Sequence, residues 1–216
     1  MKKVLLKAPI LTQSGYGHHS RTVLRALRSR EDLFDIYIQP INWGQTSWLA
    51  DTDEERLWID AAITKTVEYA ASGGIFDASL QISIPNEWEK IAPVNIGVTA
   101  GIETTKVSPK WIEKSYLMDK IITISKHSKD SYVNTVYRAT NNKTNEEIDF
   151  RTQVPVDYVS YPVYEYEADE SVKLDLKTSF NFLSVAQISP RKNLTALIKN
   201  FIDKTDDKEL KRILNF

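Results

Sequence analysis

The sequence predicts an α/β fold with a mostly parallel sheet and helices on both of its faces. Three observations carry this expectation. Apolar runs of strand character alternate with segments of helical spacing along most of the chain. A Gly-x-Gly loop, Gly15 and Gly17, joins the first run to the first helix. Late in the chain the unit recurs: Phe182, Leu183, Val185 and Ala186 form an apolar run, a turn follows, and Leu194, Leu197, Ile198 and Phe201 mark one buried helical face. Strands alternating with helices imply βαβ units, whose ligands bind beyond the carboxyl ends of the strands.

Taken in order, Val4 to Ala8 reads as a buried first strand, and Thr12 to Gly17 as a turn-rich loop. A helix begins at Ser20, with Val23, Leu24 and Leu27 inward and Arg21, Arg25 and Arg28 on the opposite face. Phe34 to Ile38 is a second strand, ended by Pro40, and Ile41 to Ala50 is a loop carrying Trp43 and Trp48. Thr52 to Glu55 has the form of a capping box, opening a helix that reaches about Ala71 and closes at Gly73 and Gly74. Asp77 to Ile84 and Val94 to Thr99 are the next strands. Ser108 and Pro109 have the N-cap and N1 pattern of a helix start. Lys120 to Ile124 is a strand ending at Ser125, and the helix after it turns Tyr132, Val133 and Val136 inward. Ala139 to Arg151 reads as a surface loop or insertion, Val154 to Val159 as a short strand, and Pro162 to Lys177 as an acidic, tyrosine-rich linker.

The chain has 216 residues, 42 % hydrophobic, enough for one large domain or two small ones. Its formal net charge of −1 argues against a nucleic-acid-binding surface. With no cysteine there are no disulfides or thiolate metal sites, which fits a reducing compartment. The segment after Met1 lacks the long apolar region of a secretory signal, and no stretch approaches the length of a membrane span. A cytoplasmic protein is the expectation.

Four strand-end loops are the places to look for chemistry: Thr12–Ser20, Thr99–Lys106, Ser125–Ser128 and Gln187–Asn193. Gly15 and Gly17 let backbone approach a ligand, and a helix N-terminus favours an anion; the other reading is a tight turn. This is not the full dinucleotide fingerprint. Ser20 stands where a third glycine would be, and no acidic residue ends the second strand to hold a ribose, so a nicotinamide dehydrogenase is disfavoured. His18 and His19 suit a general base or a hydrogen-bonding role, or are polar residues at a helix start; both readings stay open. No spacing supports a metal site. The arginine stripe reads as a solvated helix face. Glu103 could accept hydrogen bonds from sugar hydroxyls or cap the next segment. Ser125 is first of all an N-cap. Arg191 and Lys192 fall in the first turn of the late helix. Cations there oppose the helix dipole, a cost that a bound phosphate would offset.

Four segments together resemble the GT-B glycosyltransferases, in particular the large retaining family four. Gly15 to Leu27 resembles the family's glycine-rich loop and first helix. Ile96 to Trp111 resembles the Glu-Thr…Pro-x-Trp stretch of one subgroup. Asp119 to Lys129 resembles its Asp-x-Ile-x-x-x-Ser-x-x-Ser-Lys element, and Phe182 to Phe201 the first strand and helix of its second domain. The resemblance implies two Rossmann-like domains: residues 1–165 on the acceptor side, 166–178 a linker, and 179–216 the start of the donor-binding domain. It implies transfer of a sugar, with retention, from a nucleotide-diphosphate-sugar donor to a saccharide or lipid-linked acceptor. It implies no cofactor and no metal, because basic residues and helix N-termini stabilise the leaving diphosphate.

By position, Lys192 matches the family's diphosphate-binding lysine, with Arg191 beside it. Gln187 stands where the family commonly has arginine. Gly15 and Gly17 match the loop beside the donor phosphates. Glu103 and Ser125, with His18 and His19, match residues lining the cleft. The family's Glu-x7-Glu motif would fall beyond Phe216, so the chain is expected to be inactive alone. The alternatives are a non-catalytic saccharide- or nucleotide-binding module, or one half of a split enzyme completed by a C-terminal chain. Peripheral membrane contact is a further partner that the lipid-linked acceptor would bring.

Overall fold

Apolar side chains on both faces place β1 (Lys2–Ala8) in the interior of the sheet, with a strand on either side: Val4, Leu5, Leu6 and Ala8 are all buried. The computed structural model describes residues 1–43, 46–50, 52–140, 145–173, 175–176, 181–186 and 188–204. The chain divides into two units, Met1–Tyr164 and Glu165–Phe216.

In the first unit β1 is followed by α1 (Gly15–Arg28), β2 (Phe34–Pro40), α2 (Glu54–Ala71), β3 (Ala78–Ile82), β4 (Val94–Thr99), α3 (Pro109–Ser115), β5 (Lys120–Thr123), α4 (Lys126–Asn134), the pair β6 (Tyr137–Thr140) and β7 (Glu147–Phe150), and β8 (Val156–Tyr158). Six strands form one parallel sheet in the order β2-β1-β3-β4-β5-β8. This is a doubly wound, Rossmann-like arrangement whose order reverses between β1 and β3, the place where such sheets open a crevice.

Strand periodicity separates two cores. On one face Leu6, Ala8, Ile36, Ile38, Ile82 and Val98 pack against Leu24 of α1 and Ile59 and Ala62 of α2. On the other, Ile121 and Val156 join Ile112 of α3, Tyr132 of α4 and the fully buried Trp88. Each fully buried Leu or Ile contributes roughly 1.5–3 kcal/mol. The outer edge of β2 is closed by α2: the Ile38 N–H donates to Thr66 Oγ1 at 2.7 Å, which blunts a sheet edge that would otherwise be open to pairing.

Several boundaries differ from the sequence expectation. α1 begins at Gly15 rather than Ser20, because the Ser14 hydroxyl caps it by accepting from the Gly17 N–H at 3.0 Å. The glycines that read as loop are thus helical. α2 is capped by Asp53, which accepts from the Arg56 N–H, and not by Thr52. The polar stretch 139–151 carries the antiparallel β6–β7 pair, because cross-strand partners rather than apolar periodicity define it. Tyr132 is fully buried, but Val133 is about half exposed, since the helix turns it a full step away from the core.

In the second unit Pro190–Lys192 is one turn of 3₁₀ helix and α5 (Leu194–Lys204) follows. Asn193 between them is left-handed, with φ 47°. Arg191 and Lys192 therefore lie before the α-helix and not in its first turn. Among the described residues the expected strand over 182–186 is not formed: residues 181–186 have no strand assignment, and Phe182, Leu183 and Val185 are exposed, although the Phe182 ring meets Phe201 edge-on at 5.0 Å. A single strand without neighbours has no ladder to join.

Among the described residues no helix is long and apolar enough to cross a membrane.

Candidate functional site at the carboxyl edge of the sheet

The loop after β1 is held shape-first by its own side chains. Thr12 Oγ1 donates to the Pro9 carbonyl at 2.9 Å, and Arg21 of α1 donates to the carbonyls of Ile10 and Thr12 at 2.7 and 2.9 Å. The 41–50 loop closes against it, through Gln13 N–H to Ser47 O and Leu49 N–H to Leu11 O, both at 2.8 Å. Gly17 is needed for this packing: a Cβ there would collide with the Thr12 carbonyl oxygen. Gly15, exposed at the first position of α1, has nothing within 4 Å of an added Cβ. Of the two glycines only Gly15 keeps open space for a ligand.

Tyr16, between them, crosses to the end of β4. Its hydroxyl accepts from the Ala100 N–H at 2.9 Å, donates to the Ala100 carbonyl at 3.0 Å and lies 3.1 Å from Thr99 Oγ1. Burial holds the phenol protonated beyond its ordinary range. Trp43 packs on its ring at 4.5 Å between centroids. This latch fixes the loops after β1 and β4 to each other.

His19 is one helical turn along from Tyr16 and on the same face. It is 8 % exposed, and its Nδ1 has no hydrogen-bond partner among the described residues. Burial, reinforced by neighbouring His18, lowers its pKa to about 4, so the imidazole is neutral at ordinary pH. Tyr161, beyond β8, sets its ring edge-on to His19 at 4.8 Å. His18 itself is exposed.

After β3, the turn Pro85–Glu87 brings Glu87 to the same edge. One of its carboxylate oxygens, Oε2, is buried without a partner among the described residues. Burial raises the pKa of this carboxyl, against the pull of Lys7 and a Ser83 hydrogen bond, and the group lies close enough to Tyr16 to raise the phenol in turn. Lys7, a buried lysine of β1, is committed to Glu89 at 2.6 Å. Behind the turn a polar belt anchors it to the sheet. Gln81 exchanges hydrogen bonds with the Glu89 backbone at 2.6 and 3.0 Å, and Asn95 Oδ1 accepts from Ser79 and from the N–H groups of Ile91 and Ala92.

The remaining expected residues spread out. Glu103 is exposed in the loop after β4, a loop pinned to α4 by the Ser131 hydroxyl donating to Thr104 O and the Val107 N–H donating to Thr135 Oγ1, both at 3.0 Å. Ser125 caps α4, accepting from the Ser128 N–H at 3.1 Å and pairing with the Ser128 hydroxyl at 3.0 Å; its hydroxyl is occupied by the fold. Lys192 is exposed in the second unit. Its N–H, like that of Asn193, donates to the Ser189 carbonyl, so these two amides serve the turn. Gln187 lies outside the described residues.

The arginine stripe is a partly exposed face, as expected, whose side chains are engaged within the fold. Arg21 holds the β1 loop, Arg25 makes a two-pronged bond to Glu55 at 2.6 and 2.8 Å, and Arg28 lies over the Trp58 ring at 4.4 Å. A cleft of about 140 Å³ beside α2 is lined by Arg21, Arg25, Asp53, Glu55 and Arg56, of which Arg25 pairs with Glu55 and Arg56 with Asp60.

The sequence reading named His19, included Tyr16 and Thr99 only within its candidate loops, and did not single out Glu87 or Tyr161. The signal for Glu87 is its place in the loop after β3, which matters only once β3 is known to adjoin β1.

No family model matches the chain, and no curated protein or solved structure does.

Proposed function

We propose that the chain is a GT-B-type retaining glycosyltransferase of the kind its motifs resemble. In this reading it uses a nucleotide-diphosphate-sugar donor and a saccharide or lipid-linked acceptor. The observation that carries the reading is the placement of three resembling segments on one doubly wound sheet. The glycine loop follows β1, the Gly101 to Glu103 loop follows β4, and the Ser125 cap follows β5. All three lie at carboxyl ends of parallel strands, the edge on which α/β sheets of this order bind ligands.

On this reading the first unit presents the acceptor. The second unit offers Lys192 to the diphosphate as a point charge, which stabilises negative charge as it develops on the leaving group. No metal ion is called for.

Isothermal titration of UDP, GDP and ADP into the full chain tests this. At least one is expected to bind, and Lys192→Ala is expected to weaken that binding at least tenfold. Binding of none of the three, or equal binding by the variant, would overturn the reading.

A further inference from the structure

His19 is buried, yet its Nδ1 has no partner among the described residues. Buried polar atoms are normally paired, and an exception calls for a reason. The aromatic neighbour of this imidazole is Tyr161, which meets it edge-on with 4.8 Å between ring centroids. The two rings are far apart in the sequence of the first unit. His19 belongs to the second turn of α1, and Tyr161 comes shortly after β8.

All strands of the six-stranded sheet run parallel. The chain therefore leaves β8 at the carboxyl edge, the edge at which Tyr16 of α1 bonds the residue after β4. Residues 159–161 pass along that edge from the last strand to α1. Ligands of such sheets bind at this edge, so a segment crossing it stands in their way.

The segment is lightly held. Among the described residues its last ladder bond to the sheet is the Val159 N–H to Thr123 O, at 2.8 Å. Pro162 has no N–H with which to make another. Every residue from 159 to 164 is exposed, Tyr161 by 43 % and Val163 by 91 %. What ties the segment to α1 is side chains. Tyr161 rests on His19, and Tyr164 is one of the groups that keep the Arg25 guanidinium charged. One edge-on ring contact is a weak anchor beside the packing of the sheet. Segments with few buried contacts open without the rest of the fold.

We propose that residues 159–164 are a strap that opens as a local unit, with Tyr161 as the plug that controls access to His19 at the carboxyl edge. Closed, the strap shields an imidazole that burial keeps neutral. Open, it frees a side chain with one donor and one acceptor nitrogen for an incoming polar group. This accounts for a buried nitrogen that the closed fold leaves unbonded. The proposal stands on the ring contact and the exposed run, independently of the glycosyltransferase reading.

Carbethoxylation of the full chain by diethyl pyrocarbonate tests it, with the rate at each histidine read by tandem mass spectrometry. The chain has three histidines, and the other two, His18 and His127, are exposed and serve as references. In wild type His19 is expected to react at least tenfold more slowly than either. Tyr161→Ala is expected to speed His19 at least fivefold and leave His127 within twofold. Tyr161→Phe, which keeps the ring, is expected to leave His19 within twofold of wild type. In urea below the unfolding transition the His19 rate in wild type is expected to stay flat, because local opening exposes little new surface. Tyr161 is on the surface, so neither variant removes a core residue. Reaction of wild-type His19 as fast as His18, no acceleration in Tyr161→Ala, or a His19 rate that climbs with urea as steeply as global unfolding would overturn the proposal.

Discussion

Gly15 and Gly17 stand two residues apart and do different work. A methyl group at Gly17 meets the Thr12 carbonyl oxygen, so Gly17→Ala is expected to destabilise the chain by about 1–3 kcal/mol through overpacking. Gly15→Ala meets nothing and should be neutral or stabilise α1 by up to about 1 kcal/mol. Urea unfolding of the two variants checks this, and equal effects would contradict it. His19 gives a second test. Its pKa is about 4 in the folded chain, below the ordinary value of about 6.5. The unfolded chain therefore takes up the proton first as pH falls. The stability that comes from holding a neutral imidazole is whole above about pH 6.5 and is lost toward pH 4, with about 2–3 kcal/mol gone near pH 4.5. Unfolding of wild type and His19→Gln at pH 7.5 and 4.5 should show that much extra acid sensitivity in wild type. The same pH dependence in both would contradict the assignment.

Secondary elements were readable where one physical signal dominated. Ser108 with Pro109, and Ser125, are caps in both sequence and structure, because a capping hydroxyl is a local interaction. β1, β4 and β5 follow from runs of apolar residues. The start of α1 was not legible, since two glycines weaken helix propensity while the Ser14 cap outweighs them. The β6–β7 pair was hidden for the opposite reason: its strands are four residues each, only partly buried, and exist through their mutual register. Neither could the turn after β3 be placed, because its anchors, Gln81 and Asn95, are buried amides inside strands. Asn95→Ala removes the acceptor for Ser79, Ile91 and Ala92 and is expected to cost about 2–4 kcal/mol by leaving buried donors unpaired. A loss under about 1 kcal/mol in thermal or urea unfolding would show that the belt does not hold the Glu87 turn.

On the scale of the whole chain, the alternation of strands and helices sufficed for the fold class, but the strand order did not follow from it. Half of the candidate site was invisible for that reason. Glu87 comes to the same sheet edge as Tyr16 only because β3 lies beside β1, and Tyr161 reaches His19 only because β8 ends the sheet. The second unit is built differently. Its segment 165–173 has no strand or helix and is exposed throughout. Brief digestion with trypsin or a Glu-specific protease is expected to cut first within 165–173 and to leave a resistant fragment ending near Tyr164. First cuts inside the sheet would contradict that division.

The account's central claim is that ligands meet this chain at the carboxyl edge of β1, β3 and β4. Amide chemical-shift mapping of the ¹⁵N-labelled full chain, titrated with the nucleotide diphosphate that binds and then with a neutral hexose, tests it most directly. The account predicts shifts from the hexose concentrated at residues 14–19, 85–88 and 99–103, and shifts from the nucleotide at the amides around Lys192. Shifts confined to the arginine-lined cleft beside α2 or to the opposite edge of the sheet would contradict it.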